Sequence, residues 1–307
     1  MRKCNFYFPT NNKAAVTITS ALYDRRALDC TAPLALVNSL SHLHYLINTS
    51  TRIRELVSTD GGFNRLIRIL KNTQVKTHNV MNVWKWSLAF NCLVAAGIRG
   101  TQEIRVQLVN VGIIKVLFDI MEAYLKTTAA NTNDQHQNTA GRPERSVLTP
   151  PPPDVDEDQG TEVTMTLPAS HAISHYVAPQ NVMYRIEDAY HSMQLLGYLS
   201  KYPDIRRKMH EDYERDVFAT VEQFTFRGHP HHIRQWAVVV MRNGCRKDES
   251  RDGLRQCANL GCLRFESYPR EFAKCRRCRK AKYCGKACQS RAWVNGHRSW
   301  CTETQPS

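Results

Sequence analysis

Seven of the chain's eleven cysteines lie between Cys257 and Cys301. With His297 they make four pairs. Cys257 and Cys262 enclose four residues, Cys275 and Cys278 two, Cys284 and Cys288 three, and His297 and Cys301 three. Zinc takes four tetrahedral nitrogen or sulfur ligands, and spacings this short let two neighbouring side chains reach one ion. Eight ligands imply two zinc ions. A Cys4 site and a Cys3His site are both closed, with no position left for water, so both ions are expected to be structural. Chance clustering of buried thiols does not account for four paired spacings, and nothing marks one of these cysteines as a catalytic thiol.

Cys284 and Cys288 are i, i+4, the spacing of one helix face, and so are His297 and Cys301. On the first of these helices Gln289 and Trp293 share the same spacing and lie away from the cysteines. One side is expected to hold metal and the other to be free for a partner, with simple packing of Trp293 as the competing explanation. Arg276, Arg277, Arg279, Lys280, Lys282 and Lys286 stand between Cys275 and Cys288. Two thiolate-rich sites sum to a net charge of about −3, which these cations can offset while their heads stay in water. The residual positive charge gives a weak preference for acidic surfaces. Both expected helices are short and committed to ligands, which argues against specific reading of DNA.

The segment resembles the MYND zinc finger, whose pattern is followed at every spacing from Cys275 onward. RING, PHD and LIM modules place histidine earlier in the ligand order. The resemblance implies a cross-brace: Cys257, Cys262, Cys284 and Cys288 on one zinc, Cys275, Cys278, His297 and Cys301 on the other. Spacing alone does not show that interleaving. It also implies that Gln289 and Trp293 line a shallow groove for proline-rich peptides. Gly285 stands where family members often have serine, a departure at the peptide contacts.

The elements that carry this segment belong to a chain of 307 residues with 42% apolar content, enough for a sizeable core and two domains. The net charge of +14 fits nucleic acid, acidic lipid or acidic protein partners and selects none of them. No apolar run long enough for a membrane span and no signal-peptide core are visible. A cytosolic or nuclear protein is expected, where disulfides are rare and clustered cysteines point to metal.

Before residue 250 the pattern is helical. Leu36, Leu40, Leu43 and Ile47 form one expected core stripe, and Trp84, Leu88, Cys92 and Ala95 another. Cys92 is read as a small buried hydrophobe, and Cys4, Cys30 and Cys245 receive no role. A repeat is visible: Ile53-Arg54 and Ile104-Arg105 open matching runs in which Gly61 falls on Gly112. Each unit reads as short helix, glycine break, longer helix, and then a third helix. Ile205-Arg206 opens a weaker copy without the glycine, in which Trp236 matches Trp86. The arrangement resembles the armadillo repeat. The expected fold is therefore mainly α: an armadillo-like helical solenoid over residues 14–245, followed by a small cross-braced two-zinc finger over 257–301. The span from about Thr127 to Pro179 is polar, acidic and proline-rich, and is expected to be a disordered insertion within one repeat. Pro150 to Pro153 favour polyproline II. A solvated loop is the simpler reading of it, and docking on the finger's own groove the more speculative one.

The runs LYDRRALDCTAPLALVNSLSHLHYL, STDGGFNRLIRILK and WKWSLAFNCLVAAGIRG, together with the finger, are similar to the fungal SamB family of MYND proteins. That resemblance implies a non-enzymatic, cytoplasmic adaptor in polarised growth, hyphal branching and sporulation. It also implies kinship with a yeast adaptor of a Ubr-type ubiquitin ligase and its conjugating enzyme. The alternative is a MYND-dependent transcriptional corepressor, also nuclear, that binds proline-rich motifs. A SET-type methyltransferase is disfavoured, because the motifs such an enzyme needs around the finger are not seen. No membrane partner and no specific nucleic acid are expected.

Overall fold

The structure is a computed structural model that describes residues 7–8, 13–14, 17–73, 79–139, 185–211 and 216–303. Near the N-terminus β1 (Tyr7–Phe8) pairs antiparallel with β2 (Lys13–Ala14). A 3-10 turn at Arg25–Asp29 then leads into α1 (Pro33–Thr49). Pro33 suits the first helical turn, where its missing N–H is not needed. Leu36, Leu40, Leu43 and Ile47 are buried along α1, as their spacing requires.

Three units of three helices follow. The first is α2 (Thr51–Thr59), α3 (Gly62–Asn72) and α4 (Val80–Arg99). The second is α5 (Gln102–Asn110), α6 (Ile113–Thr139) and α7 (Ile186–Leu199). The third is α8 (Pro203–Glu211), α9 (Val217–Gln223) and α10 (His231–Gly244). The third helices stack in order, α1 on α4, α4 on α7 and α7 on α10, while α3, α6 and α9 pack on the third helix of their own unit. This is the helix order and stacking of an armadillo-like solenoid.

Gly61 and Gly112 break the first two units at φ 81° and 90°. A side chain at either position would meet open space, so the left-handed backbone is what requires glycine there. The third unit uses a cap instead. Asp216 accepts the Phe218 amide at 2.8 Å and meets His210 Nδ1 at 2.9 Å, which starts α9 without a glycine.

The Ile-Arg pair that opens each unit has a physical role. Ile104 and Ile205 are buried and Ile53 is half-buried. Each arginine reaches back to carbonyls at or just past the C-terminus of an earlier helix, α1, α4 or α7. Arg54 donates to Ile47 O at 2.6 Å, and Arg105 to Gly97 O and Ile98 O at 2.8 and 3.0 Å. Arg206 donates to Ser200 O and Lys201 O at 3.2 and 2.9 Å. Helix C-termini leave carbonyls without intrahelical donors and carry partial negative charge, so a guanidinium satisfies both needs.

Two expectations change. Trp84 is 57% exposed rather than in the core. The inner stripe of α4 runs instead through Trp86, Phe90 and Leu93, with the Trp86 and Phe90 rings stacked 5.2 Å apart. Val83, Trp86, Phe90 and Leu93 share the face that meets the core and Trp84 lies on the opposite face, with Leu88 half-buried, whereas Cys92 and Ala95, further along α4, are buried as expected. Helix α6 continues to Thr139, into the first residues of the span read as an insertion. Residues 140–184, with Pro150 to Pro153, lie outside the described residues, as does Cys4. No helix among the described residues is long and apolar enough to cross a membrane.

Candidate metal centre

The C-terminal segment is built on a small antiparallel hairpin, β3 (Ala273–Lys274) with β4 (Lys282–Tyr283). After it come α11 (Lys286–Ala292), a π turn at Trp293–His297 and the single helical turn α12 (Arg298–Trp300). Cys275 and Cys278 occupy the turn of the hairpin. The Cys275 amide donates to Ala281 O and the Arg279 amide to Cys275 O, both at 2.9 Å. Cys257 and Cys262 sit in a second loop closed by Cys257 N to Arg264 O at 2.7 Å and Cys262 N to Asn259 O at 2.8 Å. In each loop the residue after the second cysteine, Leu263 or Arg279, has φ of 53°.

One helical expectation is corrected. Cys284 precedes α11, with Gly285 as the N-cap, so Cys284 and Cys288 approach from strand end and helix rather than from one helix face. Their sulfurs still come to 3.5 Å. His297 and Cys301 do share a helical turn, bonded from Cys301 N to His297 O at 2.8 Å.

The ligand atoms gather into two quartets, Cys257, Cys262, Cys284 and Cys288, and Cys275, Cys278, His297 and Cys301. In each quartet the atoms lie within 4.8 Å of one another. The first and third pairs meet, and the second and fourth, which is the cross-brace. Four sulfurs around zinc at 2.3 Å define a tetrahedron with edges of about 3.8 Å. The structure has Cys262 Sγ to Cys284 Sγ at 3.7 Å, Cys275 Sγ to Cys301 Sγ at 3.8 Å and Cys278 Sγ to His297 Nε2 at 3.7 Å. Donor type and separation both fit two structural zinc ions.

The surroundings of the quartets favour that chemistry. His297 presents Nε2 to its quartet while Nδ1 lies 2.5 Å from the Tyr283 hydroxyl. A second partner of this kind fixes the ring and the tautomer of a ligating histidine. Burial pushes the His297 pKa down to about 4, so the ring is neutral with a lone pair to offer. Burial pushes the Cys301 thiol up to about 12, so metal binding at neutral pH must displace its proton. Asn259 Nδ2 lies 3.5 Å from Cys288 Sγ, a donor for the first quartet.

The cations divide into two kinds. Arg276, Arg277, Arg279, Lys280 and Lys286 are exposed, in keeping with solvated counter-charge. Lys282 is buried and pairs with Glu266 Oε1 at 3.1 Å. The same carboxylate accepts the Phe272 and Arg255 amides at 3.2 and 3.1 Å. A lysine buried in this way must be paired, so the Glu266 contact is what lets Lys282 sit in the finger's interior. Nothing in the sequence singled out Glu266 or Tyr283. Gln289 is half-buried, and Trp293 is 39% exposed with its ring 5.8 Å from that of His297.

The finger also joins the solenoid. Trp300 Nε1 donates to Glu222 Oε1 of α9 at 2.8 Å, and Arg242 of α10 donates to Thr302 Oγ1. A side chain at Gly296 would collide with Glu222 at 2.3 Å. Buried finger residues such as Phe272, Tyr283 and Trp300 belong to the same apolar core as the helices.

Known proteins similar to this chain include zinc finger proteins. The family model described as MYND finger matches residues 245–301. The MYND-type zinc finger protein samB of Emericella nidulans is 24% identical over 590 aligned positions, covering 98% of this chain and 100% of that protein. Its namesake in Aspergillus terreus is 26% identical over 605 positions, covering 99% and 100%. These alignments are nearly twice the 307 residues of this chain, so the relatives carry long stretches without a counterpart here. A designed armadillo repeat protein superposes with a TM-score of 0.37 at 11% identity, covering 88% of this chain and 96% of that one.

Proposed function

We propose that this chain, which carries a MYND finger and resembles samB-named zinc finger proteins from end to end, is a non-enzymatic protein-interaction adaptor. The observation that carries the reading is Trp293: a large aromatic ring left 39% exposed beside a quartet of closed metal ligands. Both quartets are full with side chains, so the metal supports shape rather than reaction. Leu263, Tyr268 and Val294 are exposed on the same finger, which gives it apolar surface to offer a partner. The residues proposed to hold zinc are the two quartets, and Gln289 with Trp293 are the proposed contact for proline-rich peptides. The domain division follows the same line, with the helical units to about residue 245 as one interaction surface and the finger over 257–301 as the other. By resemblance the adaptor acts in cytoplasmic, polarised growth and sporulation, bringing a substrate to a Ubr-type ubiquitin ligase and its conjugating enzyme.

Calorimetric titration of a proline-rich peptide into the zinc-loaded full chain tests the finger contact. Trp293→Ala should weaken binding at least tenfold with zinc content unchanged. Equal affinity for wild type and variant overturns the assignment of this face. The ligase arm is tested by whether tagged protein co-purifies a Ubr-type ligase.

A further inference from the structure

A second surface lies where α10 meets the finger. A cleft of about 400 Å³ is lined by Val239, Arg242, Arg246, Lys247, Arg255 and Lys280 among others, with no carboxylate among the described lining residues. We propose that this cleft is a docking site for an acidic segment of a partner protein, separate from the Trp293 face.

Five cations converge: Arg242 on α10, Arg246 and Lys247 just after it, Arg255 ahead of the finger and Lys280 in the hairpin turn. Arg246, Lys247 and Lys280 are exposed, and none of them makes an ion pair among the described residues. Arg255 donates through one terminal nitrogen to Cys245 O at 2.9 Å. This covers the carbonyl at the end of α10, so the cleft does not present a bare negative helix end. The Nε of Arg255 is buried with no partner, which leaves a donor of the guanidinium unused. The nearer metal quartet, Cys275, Cys278, His297 and Cys301, holds three thiolates against a zinc ion, a net charge of about −1. That offsets one of the five cations and leaves most of the positive potential without a counterpart. A concave site of one sign concentrates ligands of the other.

Chemistry selects the ligand. Two or more arginines in a concavity suit carboxylates, which they grip through paired N–H donors. Single-stranded nucleic acid needs rings for base stacking as well as cations. The residues that line this cleft include no aromatic side chain. The reading extends the adaptor proposal by a partner class and does not depend on the Trp293 contact.

The test uses the zinc-loaded full chain and fluorescence anisotropy with a labelled peptide of alternating glutamate and serine. Arg246→Glu with Lys280→Glu should weaken binding at least tenfold. Arg276→Glu with Arg277→Glu makes the same charge change on the finger outside the cleft and should weaken it less than threefold. Arg246→Gln with Lys280→Gln, a milder pair, should weaken it at least threefold and guards against misfolding of the charge-reversed pair. Trp293→Ala should leave this affinity unchanged, so the two contacts fail independently. Equal losses for the cleft and control pairs, or no binding by wild type, overturn the proposal. It is also overturned if an oligothymidine of equal charge binds more tightly than the peptide and loses affinity with the cleft pair.

Discussion

Trp300 and Glu222 are joined across the boundary between finger and solenoid, indole N–H to carboxylate at 2.8 Å. Trp300 precedes the last zinc ligand and its ring lies 4.2 Å from that of His297, so the bond ties the second metal quartet to α9. Burial pushes the Glu222 carboxyl above its usual range, and the Trp300 bond opposes that shift. With the folded pKa raised, the native state holds the proton more tightly than the unfolded chain. Glu222 therefore favours folding below about pH 4, its unfolded range, and that contribution is lost as pH rises through the folded value. Glu222→Gln keeps an acceptor for Trp300 and removes the ionisation. Its melting temperature should equal or exceed wild type at pH 8, with the advantage shrinking towards pH 5.5. Both proteins share the same zinc ligands, so acid lability of the metal cancels in the difference. Glu222→Ala leaves the indole N–H unpaired and should cost about 1–3 kcal/mol. An alanine variant as stable as wild type would show that the bond has no part in docking.

The repeat arginines supply a second prediction. Arg206 is buried, donates to Ser200 O and Lys201 O, and reaches Lys247 O at 2.7 Å. Methionine fills a similar volume without donors. Arg206→Met should destabilise the chain by about 2–3 kcal/mol in urea unfolding, because charge-assisted bonds are lost and carbonyls are left bare. Arg54→Met should behave alike. A loss under about 0.5 kcal/mol, the scale of ordinary surface substitutions, would reduce these arginines to a sequence coincidence.

Most of the architecture was legible because it rests on local pattern. The spacing of Cys275, Cys278, Cys284, Cys288, His297 and Cys301 is a short-range constraint, and Ile-Arg opens all three units, with a glycine break in the first two. The repeated arginine was visible as a letter three times over, and its alignment could have prompted the carbonyl contact. Glu266 and Glu222 left no such trace. Each is a single acidic residue whose partner, Lys282 or Trp300, is distant in sequence, and only folding brings them together. Trp84 was misplaced for a related reason: α4 carries apolar residues on two faces, and only folding decides that the face of Val83, Trp86 and Phe90 meets the core at this end.

Metal removal gives the third prediction. Wild type should contain two zinc ions per chain by elemental analysis. Cys288→Ala should lose the first site and Cys278→Ala the second, each leaving about one ion. Because Trp300 and Phe272 share the helical core, stripping zinc with a chelator should lower the melting midpoint by about 4 °C or more while most of the helical circular dichroism is kept at about 20 °C. An unchanged midpoint would mean that the finger folds without stabilising α9 and α10.

The two cysteine loops make the last prediction. Leu263 and Arg279 each follow the second cysteine of their pair and sit at φ 53°. For residues with a Cβ that backbone region costs about 1–2 kcal/mol, and glycine escapes the cost. Both side chains are exposed, so replacing them gives up little packing. Glycine also loosens the unfolded chain, which takes back part of the gain. The balance favours glycine: Leu263→Gly and Arg279→Gly should each stabilise the zinc-loaded finger by about 0.5–1 kcal/mol. The gain should appear as a higher chelator concentration needed to strip half the zinc, with Leu263→Gly acting on the first quartet and Arg279→Gly on the second. Leu263→Ala and Arg279→Ala keep the Cβ and should show no such gain. If alanine stabilises as much as glycine, backbone strain is not the cause and the side chains themselves are at fault.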